Sequence, residues 1–243
     1  MPLAAKPRRI PYRRPAVSSR LGSRGRPAET RAAILDAAVR EFARDGIAGA
    51  RTDAIARAAG VNKALLYYYF RDKEALYGAV LDHVFGGLAA RVRGALEADA
   101  PRRDKVLSFV STHFDYLASN PLFPRVVHSE LMRAGSSGSP HIQRLVERYL
   151  RPAFGKLRGI LTEGIPAGEF RAVDPVQFIL TMVAGNVFYF TSTPMLRAML
   201  HADPLSPELL ALRRRAVLDF VSAALFAPGG SARRARGKKG RRA

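Results

Sequence analysis

The sequence predicts an all-α protein with an N-terminal helix-turn-helix unit and a C-terminal helical bundle. Apolar residues recur at gaps of three and four through most of the chain, and few β-branched runs alternate at period two. The first spacing is that of one helix face and the second that of a strand. Between Thr52 and Leu76, two short helical patterns flank a glycine. That order is typical of a helix-turn-helix.

The composition sets limits on the class of protein. The 243 residues are 48% hydrophobic and 25% charged, which suits one large or two small globular domains. The absence of cysteine excludes disulfides, thiolate zinc sites and cysteine nucleophiles. The longest nearly apolar run, residues 178–190, has 13 residues, fewer than the ~20 that a membrane span needs. We therefore expect a buried helix there and no membrane partner.

The net charge of +20 lies mostly at the two ends of the chain. Residues 1–28 hold eight basic side chains and residues 229–243 hold seven, with no acidic residue in either segment. The rest of the chain carries only +5. We therefore expect residues 1–26 to be a disordered basic arm and 229–243 a disordered basic tail. Between them, 27–75 should form the helix-turn-helix domain and 76–228 the helical bundle.

Capping residues place the first helices. Pro27 suits a helix start and Gly46 a helix end. Thr52 is expected to cap the second helix and Asn62 the third. A fourth helix should begin after Asp72 and continue to about residue 98. Further helices are predicted over 105–120, 122–134, 141–163, 176–191, 195–200 and 207–226.

The third helix has the chemistry of a DNA recognition helix, whose first turn, here Asn62 to Leu65, faces base edges in the major groove. Lys63 can donate to guanine or to a phosphate, Ala64 permits close approach, and Leu65 can contact a thymine methyl. Hydroxyls of Tyr67, Tyr68 and Thr52 can reach phosphates. Lys73 is a cation at a helix start, where an anion is preferred. A nearby phosphate would explain it.

The segment Gly60-Val-Asn-Lys-Ala-Leu-Leu-Tyr-Tyr-Tyr-Phe70, followed by Arg71-Asp-Lys-Glu-Ala-Leu76, resembles the signature of TetR-family transcriptional regulators. The resemblance runs from about Ala32 to Val80. The family signature has Ser, Gly and Thr where this chain has Asn62, Ala64 and Leu65. The operator preferred by relatives therefore does not carry over. The positions that commonly touch DNA in the family are Thr52, Lys63, Ala64, Tyr67, Tyr68 and Lys73.

The resemblance also implies a homodimer that binds operator DNA in the bacterial cytoplasm, on the nucleoid. It implies a C-terminal domain that dimerises and binds a small effector, in most cases as a repressor. Apolar stripes suit dimer helices, namely Leu210, Val217, Val221, Ala224 and Leu225, widened by Leu209, Leu212 and Phe220, and also Val176, Ile179, Met182, Val183 and Val187. Interior helices would show the same stripes. The effector-pocket candidates, polar or aromatic groups within apolar stretches, are His113, Tyr116, His128, Asn186 and Tyr189, with Phe114 and Phe188.

Other classes of protein compete with this interpretation. A sequence-nonspecific architectural DNA-binding protein would depend chiefly on its basic ends, although Arg24 and Arg26 could also lie in a minor groove beside the recognition helix. An Arg-rich N-terminus also fits an organellar transit peptide, but the C-terminal end has the same composition. We find no catalytic constellation, metal-ligand spacing or phosphate loop. We therefore expect no enzyme activity, metal or cofactor.

Overall fold

The computed structural model describes residues 26–135 and 138–226, and within these ranges the chain is helical apart from turns and one isolated bridge between Phe170 and Phe226. The expected basic arm, except for Arg26, and the expected basic tail lie outside the described residues. The helices are α1 (Pro27–Gly49), α2 (Thr52–Ala59), α3 (Lys63–Tyr69), α4 (Lys73–Glu97), α5 (Arg102–Ser119), α6 (Phe123–Ala134), α7 (Pro140–Leu145), α8 (Arg151–Gly164), α9 (Pro175–Thr191), α10 (Thr193–Leu200) and α11 (Pro207–Leu225). The all-α prediction is confirmed.

The N-terminal unit packs around one face of α1. Ile34 and Phe42 on that face are almost fully buried, together with Ile55 of α2 and Leu66 of α3. Gly46 interrupts α1 with φ 63° and ψ −178°. Glycine adopts this positive φ without the steric cost that other residues would incur. The break predicted at this glycine is therefore present, although one further turn follows it before α2.

Helix α4 joins the two units of the chain. The Asp72 carboxylate caps it by accepting from the Ala75 N–H at 2.7 Å. Leu76 and Val80 are buried near its start and Leu88 and Leu96 near its end. The boundary expected after residue 75 thus falls inside a continuous helix.

Aromatic side chains pack α4 against α1 and α7 near its N-terminal end. The Tyr77 ring meets Phe42 of α1 edge-on, with centroids 5.0 Å apart, and meets His141 of α7 at 5.7 Å. The His141 Nε2 atom lies 2.8 Å from the Glu74 carboxylate. The N-terminal unit and the C-terminal bundle therefore share one core.

The C-terminal bundle surrounds α5, which packs against α4, α8, α9 and α11. Its buried apolar face includes Val106, Phe114 and Leu117. The single helix predicted over 141–163 is interrupted by a π-helical turn, Val146–Leu150, between α7 and α8. The chain from α9 to α10 bends by 73°. In the described part of the chain, no single helix has the length and apolarity to cross a membrane, and only this bent pair passes that test jointly.

Candidate nucleic-acid interface

A tight turn sets the relative position of α2 and α3. Gly60 takes the left-handed conformation with φ 72° and ψ 26°, which glycine adopts without steric cost. The Val61 N–H donates to the Ala56 carbonyl at 3.0 Å. The Asn62 side chain caps α3 by accepting from the Leu65 N–H at 2.7 Å. The predicted cap of the third helix is therefore confirmed.

Burial divides α3 into an inner and an outer face. Leu66 is fully buried and Tyr69 half-buried. Lys63, Ala64 and Tyr67 are exposed, and Tyr68 is 81% exposed. The Tyr68 ring meets only the edge of Tyr69, with centroids 5.4 Å apart, among the aromatic rings of the described residues. A phosphate or base contact for the Tyr68 hydroxyl stays our prediction. Leu65 is only half-exposed, at the edge of this surface.

The start of α2 and the start of α4 together form an open cleft of about 810 Å³ beside α3. It is lined by Ala50, Arg51, Thr52, Asp53, Ala54, Arg57, Tyr67 and Lys73. Three cations and two hydroxyl groups thus converge on one concave surface. Such a surface fits the phosphate backbone of a duplex, which side-chain cations and hydroxyls bind without regard to sequence.

The cleft includes two arginines that our sequence analysis did not select. Arg51 immediately precedes α2 and Arg57 follows Thr52 by five positions, and both are exposed. Their closeness in sequence to Thr52, a predicted phosphate contact, indicated that they could also bind phosphate. We missed it because a lone arginine on an exposed helix usually faces solvent.

Two residues of the cleft have structural partners that the sequence did not indicate. We expected Thr52 to cap α2, and this prediction is wrong. Arg51 occupies the cap position and Thr52 is the first residue of the helix. The Thr52 hydroxyl instead shares a hydrogen bond of 3.2 Å with the Tyr67 hydroxyl. Lys73 donates to the carbonyls of Ala48 and Ala50 at 3.3 and 3.1 Å. This explains a cation at the start of α4, since it neutralises the carbonyl end of α1.

Lys63 is paired with an acid on the neighbouring helix. Its Nζ atom lies 3.1 Å from Asp53 Oδ1 and 3.3 Å from Oδ2. The hydrogen bond that Lys63 donates to this carboxylate, reinforced by the carboxylate's charge, raises the pKa of the Lys63 ammonium above its ordinary value. Lys63 is therefore charged at every physiological pH and oriented toward α2.

The effector-pocket candidates do not form one group. His113 and Asn186 meet in the core between α5 and α9, where Asn186 Nδ2 lies 3.2 Å from His113 Nδ1 and 3.4 Å from the Val110 carbonyl. Burial lowers the pKa of His113 to about 4, because the charged ring would lose its hydration. The Asn186 Oδ1 atom is buried without a hydrogen-bond partner among the described residues.

The other candidates, of which Tyr116 and Tyr189 are buried and His128 is exposed, do not form a group of their own. Tyr189 is near Phe114, with ring centroids 6.5 Å apart, and donates to the Pro204 carbonyl. The Tyr116 hydroxyl faces α4 and donates to the Val84 carbonyl at 2.7 Å. His128 is exposed on α6, in a shallow cleft against the end of α1. Tyr116 and His128 therefore do not join the His113–Asn186 core, because helical periodicity turns them to other faces.

The outer faces of α9 and α11 differ from the stripes that we expected for a dimer. Ile179, Met182, Val217 and Val221 point into the protomer's own core. The exposed stripes are Leu180, Ala184 and Phe188 on α9 and Leu212, Ala216 and Phe220 on α11. Of these, Leu212 and Phe220 belong to the stripe that we expected on the last helix, where they widen it. Each exposed stripe has a large apolar residue, an alanine and a phenylalanine at spacing four. The two exposed stripes, rather than the buried ones, are available to a partner.

The fold and this interface define a class of protein: a helical protein that presents a helix-turn-helix to DNA. In the described residues there is no group of three histidine or acidic side chains placed to hold a metal ion. Residues 34–80 match the model of bacterial regulatory proteins of the tetR family, and residues 103–221 match the tetracyclin repressor-like C-terminal domain. The chain belongs to the TetR family and is a DNA-binding transcriptional regulator.

Named relatives agree with this assignment. The HTH-type transcriptional repressor SCO4008 of Streptomyces coelicolor is 38% identical over 147 residues, which cover 59% of this chain and 73% of that protein. The fatty acid metabolism regulator protein of Bacillus subtilis is 29% identical over 154 residues, 63% of this chain and 77% of the relative. Both relatives are named as regulators.

Solved structures share the fold. FadR of Bacillus subtilis in complex with stearoyl-CoA superposes with a TM-score of 0.60 at 26% identity, covering 80% of this chain and 97% of that one. The ketosteroid transcriptional regulator KstR2 of Mycobacterium tuberculosis has a TM-score of 0.67 at 19% identity, covering 87% and 99%.

Proposed function

We propose that this protein is a homodimeric repressor that binds a pseudo-palindromic operator on the bacterial nucleoid and leaves it when a small effector binds. The observation that carries DNA binding is the continuity of the exposed first turn of α3 with the cation-lined cleft. A duplex can then place base edges against Lys63 and Ala64 while its backbone contacts Arg51, Arg57 and Lys73. Phosphate contacts fix the register and base contacts supply the sequence preference.

The exposed stripes of α9 and α11 support the homodimer. Two copies of this helix pair can form a four-helix interface in which alanines of one copy admit phenylalanines of the other. An isologous contact of this kind closes with two-fold symmetry. It would place two recognition helices about one helical turn, ~34 Å, apart on DNA, and the operator would then have matching half-sites.

The core between α5 and α9 supports control by an effector. Asn186 Oδ1 is a buried acceptor with no partner among the described residues, and burying such a group costs about 1–3 kcal/mol. A ligand that donates to it would remove that cost. The stearoyl-CoA complex of FadR, similar in fold, supports control by a small molecule in general. An effector that prefers a conformation with wrongly spaced recognition helices lowers DNA affinity by linkage.

The deciding experiment is a selection of bound sites from a random duplex library at near-physiological salt, with the full chain and with residues 27–228. We expect both to enrich the same pseudo-palindrome, the shorter one with lower affinity. Binding without an enriched motif, lost when both basic ends are removed, would instead identify an architectural protein. Compounds that stabilise the protein but leave operator affinity unchanged would refute effector control.

The dimer face has its own test. Phe220→Glu introduces a charge into the exposed stripe of α11, and Met132→Glu does the same on α6 at similar exposure, 62% against 66%. We expect Phe220→Glu to shift the protein toward monomer in sedimentation, while Met132→Glu remains dimeric. Equal behaviour of the two variants would place the interface elsewhere.

A further inference from the structure

An acidic residue lies on the surface that we assign to DNA. Asp53, the second residue of α2, lines the same cleft as Arg51, Arg57 and Lys73 and pairs with Lys63. Both side chains of the pair are exposed, 62% for Asp53 and 52% for Lys63. An ion pair this exposed adds little to folding stability, and an acid in the first turn of α2 favours the helix dipole without a lysine partner. Folding stability therefore does not account for the pairing of Asp53 with Lys63. A carboxylate there also repels phosphates, so it does not serve affinity.

The pair presents a donor and an acceptor side by side. The Lys63 ammonium and the Asp53 carboxylate are 3.1 Å apart. In the major groove, guanine offers two acceptors, O6 and N7, and its cytosine partner offers the N4 donor. Lysine contacts guanine and an acidic side chain accepts from cytosine N4. A joined lysine and aspartate therefore match the two halves of one G·C base pair.

We propose that Asp53 and Lys63 together specify a G·C base pair in each operator half-site, and that Asp53 lowers affinity for all other DNA. The proposal rests on the function proposed above. At a correct site the carboxylate gains the cytosine amine as a partner. At a wrong base or a displaced backbone it faces acceptors or phosphate oxygens, and that repulsion is the discriminating element.

The experiment compares site selection by the full-length wild type, Asp53→Ala and Lys63→Ala. Asp99→Ala is the matched control, because it removes one exposed acid just beyond the end of α4 and makes the same change of net charge. We expect wild type to prefer G·C at one position of each half-site by about 5- to 150-fold. Asp53→Ala should keep the rest of the motif and reduce the preference at that position several-fold, because the cytosine contact is lost while Lys63 still contacts guanine.

Affinity provides the second measurement. We expect Asp53→Ala to bind random duplex several-fold more tightly than wild type, and Asp99→Ala to bind it unchanged. Lys63→Ala should lose the same base preference while binding random duplex more weakly. Circular dichroism melting checks that each variant is folded, which we expect because the pair is exposed.

The outcomes separate this proposal from the one on which it rests. A wild-type protein that enriches no motif would refute the regulator function, and the base-pair assignment with it. A wild-type motif that Asp53→Ala reproduces at every position would refute the base-pair assignment alone. An equal gain in random binding by Asp99→Ala would assign the affinity effect to net charge and contradict a local role.

Discussion

Acidification should destabilise this protein through one buried imidazole. His113 is 5% exposed, its ring stacks parallel to Phe109 at 6.1 Å, and burial lowers its pKa from 6.5 to about 4. Between these two values the unfolded chain binds a proton that the folded protein does not. The contribution of the neutral His113 to the free energy of unfolding is therefore complete above pH 6.5 and is lost as the pH falls from 6.5 to about 4.

The size of the effect follows from the shift. Each pH unit below 6.5 removes about 1.4 kcal/mol from the free energy of unfolding, because one proton separates the two states. The shift from 6.5 to about 4 gives a total loss of about 3 kcal/mol for His113. That is a large fraction of the ~5–15 kcal/mol stability of a typical domain.

Urea unfolding followed by circular dichroism, at several pH values from 4 to 7.5, measures this dependence. His113→Gln is the comparison, because its amide oxygen can still accept from Asn186 but does not titrate. Carboxylates contribute equally to both proteins, so the difference in slope isolates His113. We expect the wild type to lose about 3 kcal/mol more than the variant. Parallel slopes would refute the burial of a neutral ring at this position.

Two further predictions concern single hydrogen bonds. Asn62→Ala removes the cap of α3 and should lower the free energy of unfolding by about 1 kcal/mol; Asn62→Ser should restore most of it, and equal urea midpoints for all three would contradict the cap. Tyr116→Phe removes one hydrogen bond to the Val84 carbonyl, which keeps its helical donor within α4, and should cost about 0.5–1.5 kcal/mol. The exposed Tyr68→Phe serves as its control and should melt as wild type does.

The sequence by itself determined the helices and the recognition unit. The conformations of Gly60 and Asn62 are predictable from the residue type alone, since a left-handed turn favours glycine and a helix cap favours a short polar side chain. The inner face of α3, with Leu66 and Phe70, follows from spacing alone. These features depend on residues within one or two turns of each other, and for that reason the sequence was sufficient.

Partners that come from different helices required the tertiary structure. Thr52 was predicted as a cap but bonds Tyr67, fifteen residues away, and Lys73 bonds the carbonyl end of α1. The Asp53–Lys63 pair likewise depends on the angle between α2 and α3. Helical spacing gives the faces of one helix but not the neighbour that each face meets.

The C-terminal domain shows the same limit most strongly. The apolar residues of α9 encircle much of the helix, so periodicity did not separate the face toward the core, with Met182, from the exposed face, with Leu180 and Phe188. His113 and Asn186 are 73 residues apart in the chain, and only packing brings them together. The local sequence therefore determined which elements form, the helix-turn-helix among them. The tertiary structure decided which apolar face is exposed and which polar groups meet in the core, because both depend on contacts between distant helices.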